Sequence, residues 1–440
     1  MRRKIVISIV ICVSVAAIAL TASCIEPVTI PCAAVTTDNS GGAIVLYPFY
    51  RVFSPRGPSV QFYIQRISSE GDFLLDGKGT LVGAGRWRDY ELRAVSDGAG
   101  GAIVMWVPWK PGPLSVQAHV AKIDSEGCVE WQRDIPGAEK AIPDGSGGVI
   151  VAFGDSDGNT AVLEIDAEGN LPWGKDGVSV GLPDRYFGGI ASDNLGGVIV
   201  ARVVVDEGRI IRAQRVDSDG NALWQPGGVK VCVCTGGALL PQVTSDGAGG
   251  AIIAYNYWRE EGGKWAIYAQ RIDADGNVML GPDGVPICME VKIPGEVGMV
   301  EDGAGGAIIF YRGRLELVLL AQRIDANGYK QWDEYSLRGW EDGYHHAVSD
   351  GSGGAINVGT RRAQRIDATG RAMWGDDGTM VLDPVSSLYS ISADGCGGIL
   401  ISWVLREFEY GPEAAYVQRV DPEGKPVWGD EGIPLNRLLG

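Results

Sequence analysis

The sequence predicts an all-β chain folded as an eight-bladed β-propeller of four-stranded antiparallel blades, and three observations predict it. Glycine fills 65 of 440 positions, about twice the usual share of ~7% and without the Gly-X-Y period of collagen. The string Asp-x-x-Gly-Gly occurs eight times, at Asp38, Asp97, Asp144, Asp193, Asp246, Asp302, Asp350 and Asp394, on average about 51 residues apart and each time before an apolar run. A second string, Asp-x-x-Gly-x-x-x-Trp, follows in each unit. Its last position is Trp131, Trp173, Trp224, Trp332, Trp374 and Trp428 in six units and Leu75 and Leu280 in the other two, and Ser68 replaces its first Asp in unit 1. A repeat of this length marks a solenoid, a propeller or an array. Wrapping the sheets around an axis leaves only short edges exposed. Solenoid rungs are shorter, and single units as separate sandwiches would bury too little.

Residues 240–290 show how one unit is built. Pro241 to Ser245 reads as a short first strand. Asp246-Gly-Ala-Gly-Gly250 is a turn, because Gly accepts positive φ and Asp caps nearby backbone groups. Ala251 to Tyr255 is continuously apolar, so it is buried on both faces. Ile267 to Ile272 is a third strand, Asp273-Ala-Asp-Gly276 a second hairpin turn, and Asn277 to Leu280 a fourth strand. No stretch carries a capped 3.6-residue apolar stripe. The first unit begins near Ala33 and the last ends near Leu435, at similar phase. The seam between units 1 and 8 is therefore expected to close by side-chain packing, with the Gly432 to Leu435 tail as a possible added edge.

The second motif, as in Asp367-Ala-Thr-Gly370-Arg-Ala-Met-Trp374, resembles the tryptophan-docking repeat of pyrroloquinoline-quinone-type eight-bladed propellers. Its turn is one residue shorter than the usual family form. That resemblance implies that a Trp from each blade stacks on its neighbour. The whole unit also resembles the Asp-Gly-x-Gly-Gly repeats of uncharacterised bacterial surface propeller proteins, over residues 33–435. The three-residue Asp-to-Gly step differs from the two-residue step of the sialidase Asp-box.

Residues 1–23 read as a secretory signal: Arg2, Arg3 and Lys4, then a nearly apolar run from Ile5 to Leu20, then small residues before Cys24. Leu20-Thr-Ala-Ser-Cys24 resembles a bacterial lipobox, with Thr21 where the family usually has an aliphatic residue. The resemblance implies lipidation at Cys24, a short tether over residues 24–32 and a single propeller domain over residues 33–440. The expected address is membrane-anchored on the extracytoplasmic side, at the periplasm or cell surface. Removing the signal moves the formal charge from −17 to −20, since it takes away three cations and no acid. A chain this acidic does not bind nucleic acid by counterion release. Cys32, Cys128, Cys232, Cys234, Cys288 and Cys396 match no zinc spacing and read as small buried side chains, with disulfides open to them outside the cytoplasm.

The repeated residues read as structural, because a catalytic group is needed once. Gln-Arg recurs at Gln65-Arg66, Gln214-Arg215, Gln270-Arg271, Gln322-Arg323, Gln364-Arg365 and Gln418-Arg419, consistent with blade-to-blade hydrogen bonds or ion pairs. In a four-stranded blade the first and third turns lie on one face, and the second turn and the blade links lie on the other. The first face is uniformly short. On the second, the step from first-turn Asp to second-turn Gly runs from 20 residues in unit 7 to 33 in unit 1. Loops carry binding more often than scaffolds do. The candidate ligand-binding residues are therefore Phe49, Tyr50, Arg51, Trp109, Lys110, Tyr257, Trp258, Arg259, Trp265, Phe408 and Tyr410, as anchors for a partner or stacking surfaces for sugar rings.

Catalytic patterns are thin: no His-Glu-x-x-His and no phosphate loop occurs. The only histidines are His119, His345 and His346; the last two, as strand neighbours, face opposite ways and cannot share a metal. Asp155-Ser-Asp-Gly-Asn159 and Asp273-Ala-Asp-Gly-Asn277 could bind calcium but lack the remaining ligands of a full loop, so plain turns and no cofactor are expected. The reading is a monomeric, non-catalytic binding scaffold for a protein or glycan at the cell envelope. The alternative is a propeller enzyme, either a quinone-dependent dehydrogenase or a glycan-cleaving enzyme.

Overall fold

A computed structural model describes residues 33–435 apart from the segments 52–58, 87–89, 109–116, 184–187, 206–208, 234–235, 261, 292–293, 296, 313–318, 334, 338–345, 360, 382–388 and 407–412. The described residues form eight four-stranded antiparallel sheets, each from consecutive strands in the order 1-2-3-4. These blades span 34–86, 90–136, 138–183, 189–230, 238–291, 298–337, 346–380 and 389–434. The first strand of every blade contacts the first strands of the blades before and after it, and that of blade 8 contacts that of blade 1. The ring is therefore closed, with the first strands around its axis. No helix occurs among the described residues.

Each Asp-x-x-Gly-Gly string makes the tight turn between first and second strands. Asp246 N–H donates to the Gly250 carbonyl at 3.1 Å, and its Oδ1 accepts from Ala248 N at 2.9 Å and Gly250 N at 2.8 Å. Gly250 has no room for a side chain, since a Cβ there would sit 2.3 Å from the Ile272 carbonyl oxygen. The second strands are the buried ones; Ala251 to Tyr255 are at most 1% exposed. Eight apolar clusters fill the eight gaps between neighbouring blades, so the core is a wheel of interfaces.

The fourth strand differs from the sequence expectation. Asn277 to Leu280 makes one bridge, Ile272 with Val278, and then turns; the fourth strand of blade 5 is Val285–Val291. The intervening segment delivers the docking side chain. Trp224 is 5% exposed, its indole N–H donates to the Ala274 carbonyl of blade 5 at 3.1 Å, and its ring covers Gly276. Trp131, Trp173, Trp332, Trp374 and Trp428 repeat this bond to the next blade at 2.9–3.1 Å, while Leu75 and Leu280 rest on Gly127 and Gly328. The docking implied by the repeat is present.

The seam closes by packing. Ile433–Pro434 pairs with Glu413–Val420 of its own blade, so the tail is the fourth strand of blade 8 and adds no pairing to blade 1. Blades 8 and 1 are joined instead by an apolar cluster that includes Val35, Val45, Tyr47, Leu400, Val417 and Trp428. Two hydroxyls assist, Thr37 Oγ1 to the Asp394 carbonyl at 3.1 Å and Ser402 Oγ to the Ala33 carbonyl at 3.2 Å.

Candidate functional site

The repeated polar residues are taken up by the scaffold. The buried Gln270 donates from Nε2 to the Gly281 carbonyl at 2.7 Å and accepts from Leu280 N at 2.9 Å, which holds the docking segment of its own blade. The adjacent arginines ion-pair with the first-turn Asp of their own blade in six blades, at 2.8–3.3 Å. Arg215, Arg271, Arg323 and Arg365 also donate to a carbonyl of the next blade at 2.7–3.3 Å. The Gln is thus an intrablade clamp and the Arg serves both within and between blades. Burial alone would raise the Asp38 carboxyl; the Ser40 and Gly42 hydrogen bonds and the Arg66 charge outweigh it and hold it below its ordinary value.

Two blades lack the arginine. Lys122 stands there in blade 2 and donates to the Ala167 carbonyl at 3.0 Å. In blade 3 the position is Glu164. Burial, then the charges of Asp144 and Asp166, push its carboxyl up to about 7, while the Ser146 hydroxyl bonds Asp144 Oδ2 at 2.6 Å in the guanidinium's place. A carboxyl raised from 4.5 to about 7 on folding stabilises the fold most below pH 4.5, and that contribution is lost as pH rises through 7. Glu164→Gln is therefore expected to flatten the fall in melting temperature between pH 5 and 8; parallel profiles for the two proteins would refute this assignment.

The calcium-like turns are closed on themselves. Asp273 Oδ1 accepts from Asp275 N and Asn277 N at 3.0 and 2.8 Å, and Asp155 does the same with Asp157 N and Asn159 N. Gly154-Asp-Ser-Asp-Gly158 has the spelling of a nucleophile elbow, but it is the hairpin turn between Val149–Gly154 and Asn159–Ile165 rather than a strand-to-helix turn.

On the variable face, blades 1 and 5 carry nine-residue second strands, Ala43–Arg51 and Ala251–Arg259, against four residues in blade 7 (Ala355–Val358). These two long hairpins stand four blades apart, on opposite sides of the ring. Blade 5 ends in paired indoles: Trp258 and Trp265 are cross-strand partners, half-buried, with ring centroids 5.3 Å apart at 62°. Beneath them Tyr257 meets Tyr268 edge-on at 5.0 Å. Arg259 ends the same strand and is partly exposed. Phe49 of blade 1 takes the Lys78 ammonium over its ring at 3.6 Å. Tyr50 and Arg51 end the same strand. Trp109, Lys110, Phe408, Tyr410 and Cys24 lie outside the described residues.

The channel along the axis is chemically graded. Toward the variable face, Arg93 is ion-paired with Glu91, and Lys140 donates to the Gly188 carbonyl at 2.7 Å. His346 stands within the ring, where burial among the surrounding blades and then the Arg93 charge from blade 2 push its imidazole down to about 4. Further along the first strands come apolar residues such as Ala94, Val243 and Met299. At the end bearing the Asp-x-x-Gly-Gly turns lies an open well of about 280 Å³, built by blades 4 to 7 and lined by Ser192, Asn194, Thr244, Glu301 and Ser349 beside Met299 and Val300. Sequence reasoning favoured the opposite face and did not select these residues.

The cysteines divide. Cys232 is buried and disulfide-bonded, whereas Cys128 and Cys396 are exposed thiols rather than buried ones, because both sit in surface turns. Cys32, Cys234 and His345 lie outside the described residues.

No family model and no curated protein matches the chain. Among solved structures, the chain is similar to an α-L-arabinanase from Penicillium chrysogenum, at 13% identity over 75% of this chain and 93% of that one, with a TM-score of 0.42. It is similar to a protein of unknown function from Dyadobacter fermentans, at 13% identity over 75% and 94%, with a TM-score of 0.41. It is also similar to a quinonprotein alcohol dehydrogenase-like protein from Bacteroides thetaiotaomicron, at 10% identity over 76% and 82%, with a TM-score of 0.40. At these identities none of their activities transfers to this chain.

Proposed function

We propose that the chain is an exported, lipid-anchored propeller that binds a protein or glycan at the cell envelope without catalysis, presenting its variable face. The observation that carries this reading is the Trp258–Trp265 pair on the projecting hairpin of blade 5. Aromatic anchors held by a rigid strand pair bind partners or sugar rings with little ordering penalty. Two further observations support it. The charged residues repeated around the ring are bound into the scaffold, which leaves them no catalytic task. The charged start and apolar run before Cys24 supply the address, and a disulfide at Cys232 fits an oxidising compartment.

The test is a glycan array combined with crosslinking on intact cells, using the wild-type chain and Trp258→Ala/Trp265→Ala. One saturable partner is expected, with affinity reduced at least about tenfold in the double variant, as for loss of an aromatic hot spot. Binding that survives the double variant would overturn the assigned face. Turnover of an arrayed glycan would replace the reading with the enzymatic one.

A further inference from the structure

The geometry points to the turn-face well as a binding site for a monosaccharide-sized polyol carrying an ammonium group, an amino sugar. The two residues that define it are departures from the repeat. At the position after the turn Asp, six blades have Gly, all with positive φ. Asn194, like Asn39 in blade 1, holds the same left-handed conformation at φ 60°, where a side chain is disfavoured; of the two, Asn194 is the one that lines the well. At the position before the turn Asp, a hydroxyl accepts the backbone N–H two residues on in five blades: Thr37, Ser96, Ser192, Ser245 and Ser349, at 2.9–3.2 Å. Glu301 gives up that bond in blade 6. Each substitution weakens its own turn, and the two side chains meet over the well, Asn194 Nδ2 donating to Glu301 Oε2 at 3.3 Å.

The lining chemistry selects the ligand. Glu301 has no ion-pair partner among the described residues, so the well carries one uncompensated negative charge, in a chain that is itself acidic. An ammonium supplies the missing cation. Ser192 and Ser349 accept from backbone N–H groups, which leaves their hydroxyl hydrogens to donate to ligand oxygens. Met299, partly exposed at the edge of the well, offers an apolar contact for a C–H of a sugar ring. The inference does not rest on the variable face and stands or falls apart from the function proposed above.

The test is isothermal titration calorimetry of the full chain with D-glucosamine at low ionic strength. Saturable binding is expected, weakened about tenfold or more by Glu301→Ser, the size expected for a lost hydrogen bond to a charged group. Asn194→Gly should weaken it severalfold. Both variants install a residue that other blades already carry at the same position, so both should melt no lower than wild type. Trp258→Ala/Trp265→Ala should leave glucosamine binding intact. No saturable binding, or binding unchanged in Glu301→Ser, would overturn the site. Equal affinity for D-glucose would overturn the role of the charge, and equal affinity for ethanolamine would overturn the sugar.

Discussion

Trp428→Ala is expected to destabilise the chain by about 3–5 kcal/mol, the usual loss for truncating a buried tryptophan. The residue is 7% exposed. Its indole bonds the Ser69 carbonyl of blade 1 at 3.1 Å, and its ring lies against Gly71, where a Cβ would come within 2.9 Å of it. It belongs to the cluster that joins the last blade to the first. Among the described residues no strand is shared between these blades, so no ladder of hydrogen bonds there holds them once the packing loosens. Trp224→Ala removes the same side chain inside the ring, where the chain itself tethers the neighbouring blades. The two variants should therefore lose similar equilibrium stability in urea, while only Trp428→Ala should be cut early by protease near the ends of the propeller. Trp428→Leu should recover most of the loss, because Leu75 and Leu280 already fill this place in blades 1 and 5. A Trp428→Ala protein with an unchanged urea midpoint would mean that the ring is closed by something other than this packing.

The contrast between what the residues disclosed and what they hid follows from the repeat. The glycines and aspartates of the turns act within five residues of each other, and the Trp and its Gly recur at fixed phase, so blade number, turn positions and docking are all local or periodic signals. The fourth strand was misplaced because Asn277 to Leu280 has strand-like residues but makes a single bridge before turning; its job is to aim Leu280 at the next blade. The well was hidden for a different reason. Asn194 and Glu301 are 107 residues apart in sequence and meet only because the ring brings blades 4 and 6 around one axis. A signal was nevertheless present. Written one above another, the eight units show Asn194 in a glycine column, Glu301 in a hydroxyl column and Glu164 in an arginine column. Departures of this kind, each locally unfavourable, mark the places where one blade differs from its copies. The exposed thiols of Cys128 and Cys396 show the limit of composition: a residue type that is usually buried lies on the surface when its position in the repeat is a turn.

Asn357→Val is expected to stabilise the chain by about 1–3 kcal/mol, the usual range for an unsatisfied buried polar group. Asn357 is 0% exposed in the second strand of blade 7, Ala355–Val358, and neither its Nδ2 nor its Oδ1 has a hydrogen-bond partner among the described residues. The same position in the other blades is Val45, Val104, Val151, Val200, Ile253, Ile309 and Ile401, each 0% exposed. Asn256, also 0% exposed, shows what a buried amide in a second strand needs: it exchanges two bonds with the Gly295 backbone, at 2.9 and 3.3 Å. Asn357 has no such clip, so folding strips water from a carboxamide and returns nothing. Valine suits a strand better, is the residue at this position in four of the other blades and is smaller than the isoleucine in the remaining three, so the gain should come without overpacking. The measurement is the urea midpoint of Asn357→Val beside Asn357→Asp. The valine should raise the midpoint, and the aspartate should lower it, because it buries a charge or a proton-bearing carboxyl in the same apolar gap. A lowered midpoint for valine would show that the amide is satisfied in solution, by a bound water or another group, and that the departure at this column is retained for a reason other than drift in the repeat.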